Sequence, residues 1–380
     1  MLGLAAADEP DPRIHKALMA AKPQTLNALQ ALRGCAALLV VADHAIDNMF
    51  TKGGAIADPD LLGLGYFLGS LGVAVFFVIS GFVMMYAHGD DFGQAGAPSR
   101  FAGRRIGRIA PIYWFMTILY AGWLALTHRA PGLIDIGRSL VFWPYGSVGA
   151  PYGHPVLGQG WTLDYEAFFY LIFGLALFLR RGLPCVFSVF ALLVAGHLSG
   201  LFGSENLLAF WSDPITLYFL AGLALGLVQR RVRLPLNFYG ALGAAVLLLT
   251  GAIATAAVVG PNALIGTAVA DFCCVAAVAT CILAGERPGE GWVLRLAKSL
   301  GDATYAIYLS HTLVIALCLG LSRAAGLHPP IALFVFLMLP VTSVVGVALH
   351  LSLEKWLMRR WNALFRRPPK SAPKAVTAPA

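Results

Sequence analysis

Residues Leu26–Met49 read LNALQALRGCAALLVVADHAIDNM, and this stretch decides how the rest of the chain is understood. Its length and apolar content suit a helix that crosses a bilayer, which needs about 20 residues. Yet Arg33 stands near one end and His44 near the other. A guanidinium or imidazole inside a spanning helix has to face protein interior or a wet cavity, so such residues mark function by default. Eleven steps of about 100° end about 20° past three full turns, so Arg33 and His44 share one helix face, roughly 16 Å apart along the axis. The plain alternative makes Arg33 a snorkelling interface residue and His44 a headgroup-level polar group beside Asp43 and Asp47.

Composition carries this reading over the whole chain. Of 380 residues, 58% are hydrophobic and 12% charged, with a mean hydropathy of +0.74, whereas soluble domains carry about a quarter charged residues. The fold class expected is an all-α, polytopic integral membrane protein with about ten transmembrane helices. Apolar spans fall near 28–48, 64–87, 109–127, 161–179, 184–201, 213–229, 236–259, 263–284, 301–321 and 331–352. With the N-terminus in the cytoplasm, 22 Lys and Arg lie on tails and inner loops. Only Lys52, Arg129, Arg138 and Arg323 lie outside, and Arg33 is within the membrane. That skew fixes the orientation and accounts for most of the +8 net charge, so no nucleic-acid partner is expected. The six cysteines sit in apolar runs without metal-ligand spacing. They read as buried small hydrophobes, and no metal is expected. No cleavable leader is expected, so the first span acts as its own insertion signal.

Three regions follow: a cytoplasmic tail at 1–25, a transmembrane domain at 26–354, and a basic, Pro-rich cytoplasmic tail at 355–380. The segment after Phe365 has the composition of a disordered stretch. The longest outer loop, about 128–160, is rich in Pro, Gly and aromatics without a helical period, which suits a folded lid or interfacial segment.

Four more constellations put polar groups at membrane depth or its edge. In GSLGVAVFFVISGFVMM (69–85), Ser80 and Gly81 interrupt an apolar helix, as at a tight helix crossing. In RFAGRRIGRIAPIYWF (100–115), Arg104, Arg105 and Arg108 sit at the inner boundary of the third helix, with Arg suited to bidentate phosphate contacts. Pro111 suits a helix that begins there. In GQGWTLDYEAFFYLIF (158–173), Asp164 fits an N-terminal helix cap, while Glu166 lies deeper, four residues before Tyr170. In SLGDATYAIYLSHTLV (299–314), Thr304, Tyr308 and His311 make a polar stripe on one helix face. His197 and Asp271 stand alone in their spans and receive no role.

Together these stretches resemble the membrane acyltransferase-3 family. LQALRGCAALLVVADHA is similar to the family's first helix, with Arg, ten residues and His. GVAVFFVISGFVM, RRIGRIAPIYW with Arg105-x-x-Arg108, GWTLDYE and YAIYLSH follow in family order across most of residues 28–315. GQGWTLDYEAFFYLIF is most similar to the ExoZ-type exopolysaccharide acetyltransferases; Trp161-Thr162-Leu163 stands where many members have Trp-Ser-Leu. Some members carry a fused C-terminal esterase-like domain, which is not expected here.

The resemblance implies an O-acyltransferase of the bacterial inner membrane, with both termini cytoplasmic. It would move an acyl group, acetyl first among the candidates, from acyl-CoA to a hydroxyl of a carbohydrate or lipid-linked glycan. Polysaccharide assembly proteins are its implied neighbours in the bilayer. Acyl transfer to an alcohol needs a base for the hydroxyl proton and positive charge for the oxyanion. His44 is expected as the base or transient acyl carrier. Arg33 would hold CoA phosphate or developing negative charge, and Glu166 would orient the His or the acceptor hydroxyl. Arg104, Arg105 and Arg108 are expected at the cofactor, with Trp161, Tyr308, His311 and Ser80 in support. A secondary transporter or flippase for a sugar-linked or small acidic substrate is the rival class, and a scaffold of an export complex is the other.

Overall fold

The helix quoted above packs against five others. In the computed structural model of the protein, the described residues are 26–56, 58–145, 154–203, 207–261, 263–284 and 291–364. The expected tail at 1–25, the segment 365–380 and part of the outer loop, 146–153, lie outside them. The first helix, α1 (Asn27–Thr51), packs against α2 (Pro59–His88), α9 (Phe238–Val259), α10 (Leu264–Leu283), α11 (Trp292–Ala324) and α12 (Ile331–Leu349). Its small residues Ala28, Ala31, Gly34, Ala36, Ala37 and Ala45 are all buried. In lipid, where helices associate through close van der Waals packing, small side chains let several neighbours approach one rod. The apolar windows of α1 and α2 are 61% and 72% buried, against 22% for α9. So α1 and α2 form the centre, and α9 faces outward.

The remaining helices are α3 (Ala97–Leu126), α4 (Leu133–Leu140), α5 (Trp161–Ala176), α6 (Gly182–Leu198), α7 (Leu207–Trp211), α8 (Leu217–Val228) and α13 (Lys355–Leu364). No strand is formed among the described residues, only an isolated bridge between Leu234 and Ala284. The protein is therefore an all-α, polytopic membrane fold. Eight helical spans are long and apolar enough to cross a bilayer, counting α7 with α8, and α12 with α13, as continuous spans. The ten expected spans are all helical, but α5 has 16 residues and α6 has 17. At 1.5 Å per residue they reach about 24–26 Å, short of a hydrocarbon core of about 30 Å. Both are cut short because residues between them form a turn, closed by Gly182 N–H donating to the Leu179 carbonyl at 3.2 Å.

Three expectations of local structure are corrected. The third helix does not begin at Pro111 but at Ala97, after Gly96 in the left-handed conformation, and Pro111 lies inside it. The proline ring removes the helical bond to the Gly107 carbonyl. Packing holds the first turns nonetheless: Trp361 of α13 lies against Gly107, and its indole N–H donates to the Gly103 carbonyl at 3.1 Å. The outer loop is not wholly irregular, since it contains α4. The segment from residue 355, expected as tail, starts as the helix α13, reached through a π-helical turn at His350–Glu354. Among the described cysteines none is in a disulfide; Cys273, Cys274 and Cys281 are buried as expected, whereas Cys185 is exposed.

The tight crossing expected at Gly81 joins α2 to α8. A Cβ at Gly81 would lie 2.0 Å from the Phe219 carbonyl oxygen, and one at Gly222 would lie 2.0 Å from that of Val78. Both obstacles are backbone, so neither gives way by a rotamer change. Gly81→Ala is expected to destabilise the protein by about 1–3 kcal/mol, as overpacking does. Gly251→Ala, where nothing lies within 4 Å, should be silent. Thermal unfolding of both variants in detergent, followed by tryptophan fluorescence, checks this; equal midpoints would refute the close crossing.

Candidate active site

Five helices enclose a cavity of about 280 Å³ in the half of the bundle where α1 begins. From α1 come Gln30 and Arg33, one turn apart. Helix α2 contributes Ser80, and α3 contributes Arg105, Arg108 and Ile109. From α5 come Thr162, Glu166 and Tyr170, and from α11 Thr304, Tyr305 and Tyr308. Helical periodicity explains the selection, because residues three and four apart share a face. Residues Arg105 and Arg108 on α3 meet that rule, as do Glu166 and Tyr170 on α5, and Thr304 and Tyr308 on α11.

The charge pattern is lopsided. Three guanidinium groups face one carboxylate, and that carboxylate is already occupied: Glu166 Oε1 accepts from Ser80 Oγ at 2.8 Å and from the Tyr170 hydroxyl. Arg33 donates to Gln30 Oε1 at 3.0 Å. Arg105 lies with its guanidinium carbon 5.6 Å from the Tyr170 ring centre and 5.9 Å from that of Phe101, while its Nε is buried without a hydrogen-bond partner. Among the described residues none of the three arginines forms an ion pair. Two half-buried guanidinium groups and an exposed one, with a single carboxylate among them that is already hydrogen-bonded, leave positive charge in excess and suit an anionic ligand, and Arg presents a fork that fits phosphate oxygens. Arg108, exposed at the edge, makes the outermost of the three.

His44 does not line this cavity. It meets His311 of α11, ring centres 4.9 Å apart and nearly perpendicular. Each imidazole gives its Nδ1 proton to a carbonyl of its own helix, His44 to Val40 at 3.0 Å and His311 to Tyr308 at 2.6 Å. A carbonyl only accepts, so both Nε2 atoms are left with lone pairs. Nε2 of His311 is buried and unpartnered. Asp43 Oδ2 lies 3.6 Å from His44 Nδ1. Tyr308 joins the two regions: it lines the cavity, and its ring centre is 5.8 Å from that of His311. Its hydroxyl donates to the Gln159 carbonyl at 2.9 Å and lies 2.7 Å from Thr162 Oγ1. Gln159 in turn ties the chain before α5 to α11, donating to the Leu309 carbonyl at 3.0 Å and accepting from Thr312 at 3.1 Å.

The residues expected from sequence thus fall into three groups. Arg33, Ser80, Arg105, Arg108, Glu166 and Tyr308 come together around the cavity. His44 and His311 come together beyond it. Arg104 and Trp161 join neither: Arg104 is exposed, 4.0 Å from Asp91, and Trp161 packs edge-on against Tyr165. Arg104 misses the cavity because it precedes Arg105 by one residue, about 100° round the helix. Glu166 sits with the arginines and has no hydrogen bond or ion pair with His44. Asp164 makes no cap bond. His197 and Asp271, left without roles, find partners elsewhere in the fold, Ser212 in the turn after α7 and Tyr218 on α8. Gln30, Gln159 and Tyr305 carry no charge or repeat that marks them in the sequence. No group of three or more His, Cys, Asp or Glu that could hold a metal occurs among the described residues.

Comparison with known proteins gives this geometry a family. The family model described as an acyltransferase domain matches residues 26–350. The exopolysaccharide production protein ExoZ of Rhizobium meliloti (strain 1021) is 33% identical over 310 residues, covering 78% of this chain and 92% of that protein. Acyltransferase MdmB of Streptomyces mycarofaciens is 29% identical over 394 residues, covering 93% and 96%. No solved structure matches the chain. These matches favour the enzyme over the transporter and the scaffold. A helical bundle spanning a membrane, matched over residues 26–350 by that model, belongs to the acyltransferase-3 family, and the chain is an enzyme that transfers acyl groups.

Proposed function

We propose that the protein moves an acyl group, acetyl in the simplest case, from acyl-CoA to a hydroxyl of a carbohydrate such as an exopolysaccharide or lipid-linked sugar. The observation that carries this reading is the set of three arginines without ion pairs around one cavity, with Nε of Arg105 buried and unsatisfied. A donor bearing several phosphates supplies what they lack, and its thioester supplies the activated acyl carbon. The acceptor class rests on the likeness to ExoZ, an exopolysaccharide production protein.

In this reading Arg105 and Arg108 hold the phosphates at the cavity edge, and Arg33, about three helical turns from His44, takes a further phosphate. His44 accepts the acceptor's hydroxyl proton at Nε2, its Nδ1 proton being fixed on Val40. His311 and Tyr308 border this reaction zone. Glu166 keeps Ser80 and Tyr170 in place, and Tyr170 in turn supports the Arg105 guanidinium. Such an arrangement draws donor from the cytoplasm and acceptor from the far side, with both tails, at 1–25 and beyond 355, on the inner face of a bacterial inner membrane.

Purified protein in lipid nanodiscs, given acetyl-CoA labelled in the acetyl group, should transfer label to de-O-acetylated exopolysaccharide. Transfer from a donor other than a CoA thioester, with none from acetyl-CoA, would overturn the donor assignment.

A further inference from the structure

A base that takes a proton inside a membrane protein needs a negative charge beside it, and for His44 that charge does not come from Glu166. The Glu166 carboxylate is committed to Ser80 and Tyr170. Asp43 stands closer: its Oδ2 lies 3.6 Å from His44 Nδ1, and its side chain is 13% exposed. Among the described residues the Asp43 carboxylate accepts no hydrogen bond. Its charge is therefore neither spent on a donor nor fully screened by water.

The carboxylate also has a seat. Helix α2 crosses α1 with Gly65 and Gly69, one turn apart, turned toward Asp43. A Cβ at Gly69 would overlap Asp43 Oδ2, and one at Gly65 would lie 3.6 Å from Oδ1. Any side chain at position 69 would take the space the carboxylate occupies, so the crossing fixes where that charge stands. The other groups around His44 are engaged or uncharged. Asp47 accepts from the Tyr66 hydroxyl at 3.4 Å, and Lys52 donates to Asn48 Oδ1 at 2.8 Å. From α11, His311 gives its Nδ1 proton to the Tyr308 carbonyl, and Tyr308 gives its hydroxyl proton to the Gln159 carbonyl.

From this we propose that Asp43 is a positioning residue for acyl transfer. It holds His44 in the tautomer that leaves Nε2 bare, and it balances the positive charge once Nε2 takes a proton. The inference rests on His44 being the base, as given under Proposed function. In the step, the acceptor oxygen bonds to the acyl carbon and the C–S bond of the thioester breaks. The hydroxyl proton passes to His44 Nε2 and then to the departing sulfur, which leaves as the thiol. Between those two transfers His44 is an imidazolium. The Val40 carbonyl holds its Nδ1–H but brings no net charge, whereas Asp43 brings a full negative charge to 3.6 Å. A carboxylate at the far nitrogen of a histidine base plays the same part in the serine–histidine–aspartate arrangement.

The test uses full-length protein in nanodiscs, labelled acetyl-CoA and saturating acceptor. Asp43→Asn keeps the side chain's size and removes its charge. It should lower kcat by about tenfold or more, the scale of one opposite charge at short range in a poorly hydrated site, with KM for acetyl-CoA unchanged. Gly69→Ala keeps every charge but pushes the carboxylate off its seat, and it should lower kcat in the same way. In a His44→Ala background both substitutions should cause no further loss, because the charge that Asp43 balances never forms. An unchanged kcat in Asp43→Asn, or a loss just as large in the His44→Ala background, would overturn the assignment and leave His44 standing as the base. If Asp43→Asn fails to fold, Gly69→Ala with and without His44→Ala decides. A His44→Ala enzyme with undiminished kcat would overturn the base reading and this inference together.

Discussion

His44→Ala is expected to slow acyl transfer by about 10²–10⁴-fold, the range contributed by a positioned general base, while KM for acetyl-CoA changes little. The split follows from geometry. His44 is outside the arginine cavity, so the arginines proposed to hold the donor's phosphates are untouched. Its hydrogen bond runs to Val40 on the same helix, and its side chain is 30% exposed, so truncation leaves no large void between helices. What disappears is the lone pair of Nε2. Imidazole is suited to the task because it changes charge near the working pH. His311→Gln offers the complementary measurement. It removes the ring that His44 meets at 4.9 Å but keeps a polar side chain. A smaller loss than in His44→Ala is expected, since His311 Nε2 is sealed from the surroundings. Steady-state rates with labelled acetyl-CoA and saturating acceptor decide the matter. A His44→Ala enzyme at near wild-type kcat removes His44 from the chemistry.

How much of this was legible in the sequence differs from residue to residue. The helices could be read because lipid leaves the backbone few alternatives, and apolar runs of the right length therefore declare themselves. Arg33, Arg105 and Arg108 were legible for a related reason: charge near membrane depth is costly enough to need an explanation. Their convergence was not, because it depends on how α1 and α3 pack and not on spacing within either. Glu166 shows the limit most clearly. Its i, i+4 partner Tyr170 was visible, but Ser80 comes from 86 positions away, and only the fold brings it within 2.8 Å. Periodicity puts Arg33 and His44 on one helix face, yet the two ends of that face belong to different surroundings. One borders the cavity, and the other meets His311. Asp164 misled for a physical reason too. A carboxylate in the first turn of a helix usually serves the free N–H groups there, but this one makes no hydrogen bond to them. Arg104 was grouped with its neighbours by sequence, and a single residue step put it on the surface.

The same one-residue step supplies the sharpest control for the donor site. Arg105→Gln and Arg108→Gln should each raise KM for acetyl-CoA, because each removes a charge-assisted contact of about 1.5–3 kcal/mol. That corresponds to roughly a tenfold to hundredfold change. Arg105 should lie at the upper end: it is more buried than Arg108, its Nε has no other partner, and low-dielectric surroundings screen it less. Arg104→Gln alters net charge equally on the same segment but faces Asp91 at the surface, where an exposed pair is worth about 0–1 kcal/mol. It should leave KM nearly unchanged. Arg33→Lys keeps the charge and loses the fork, so a large effect there would show that planar, two-pronged contact matters and not charge alone. If all three Gln variants shift KM alike, the basic segment acts only through its overall positive field, and the cavity is not where the donor's phosphates bind.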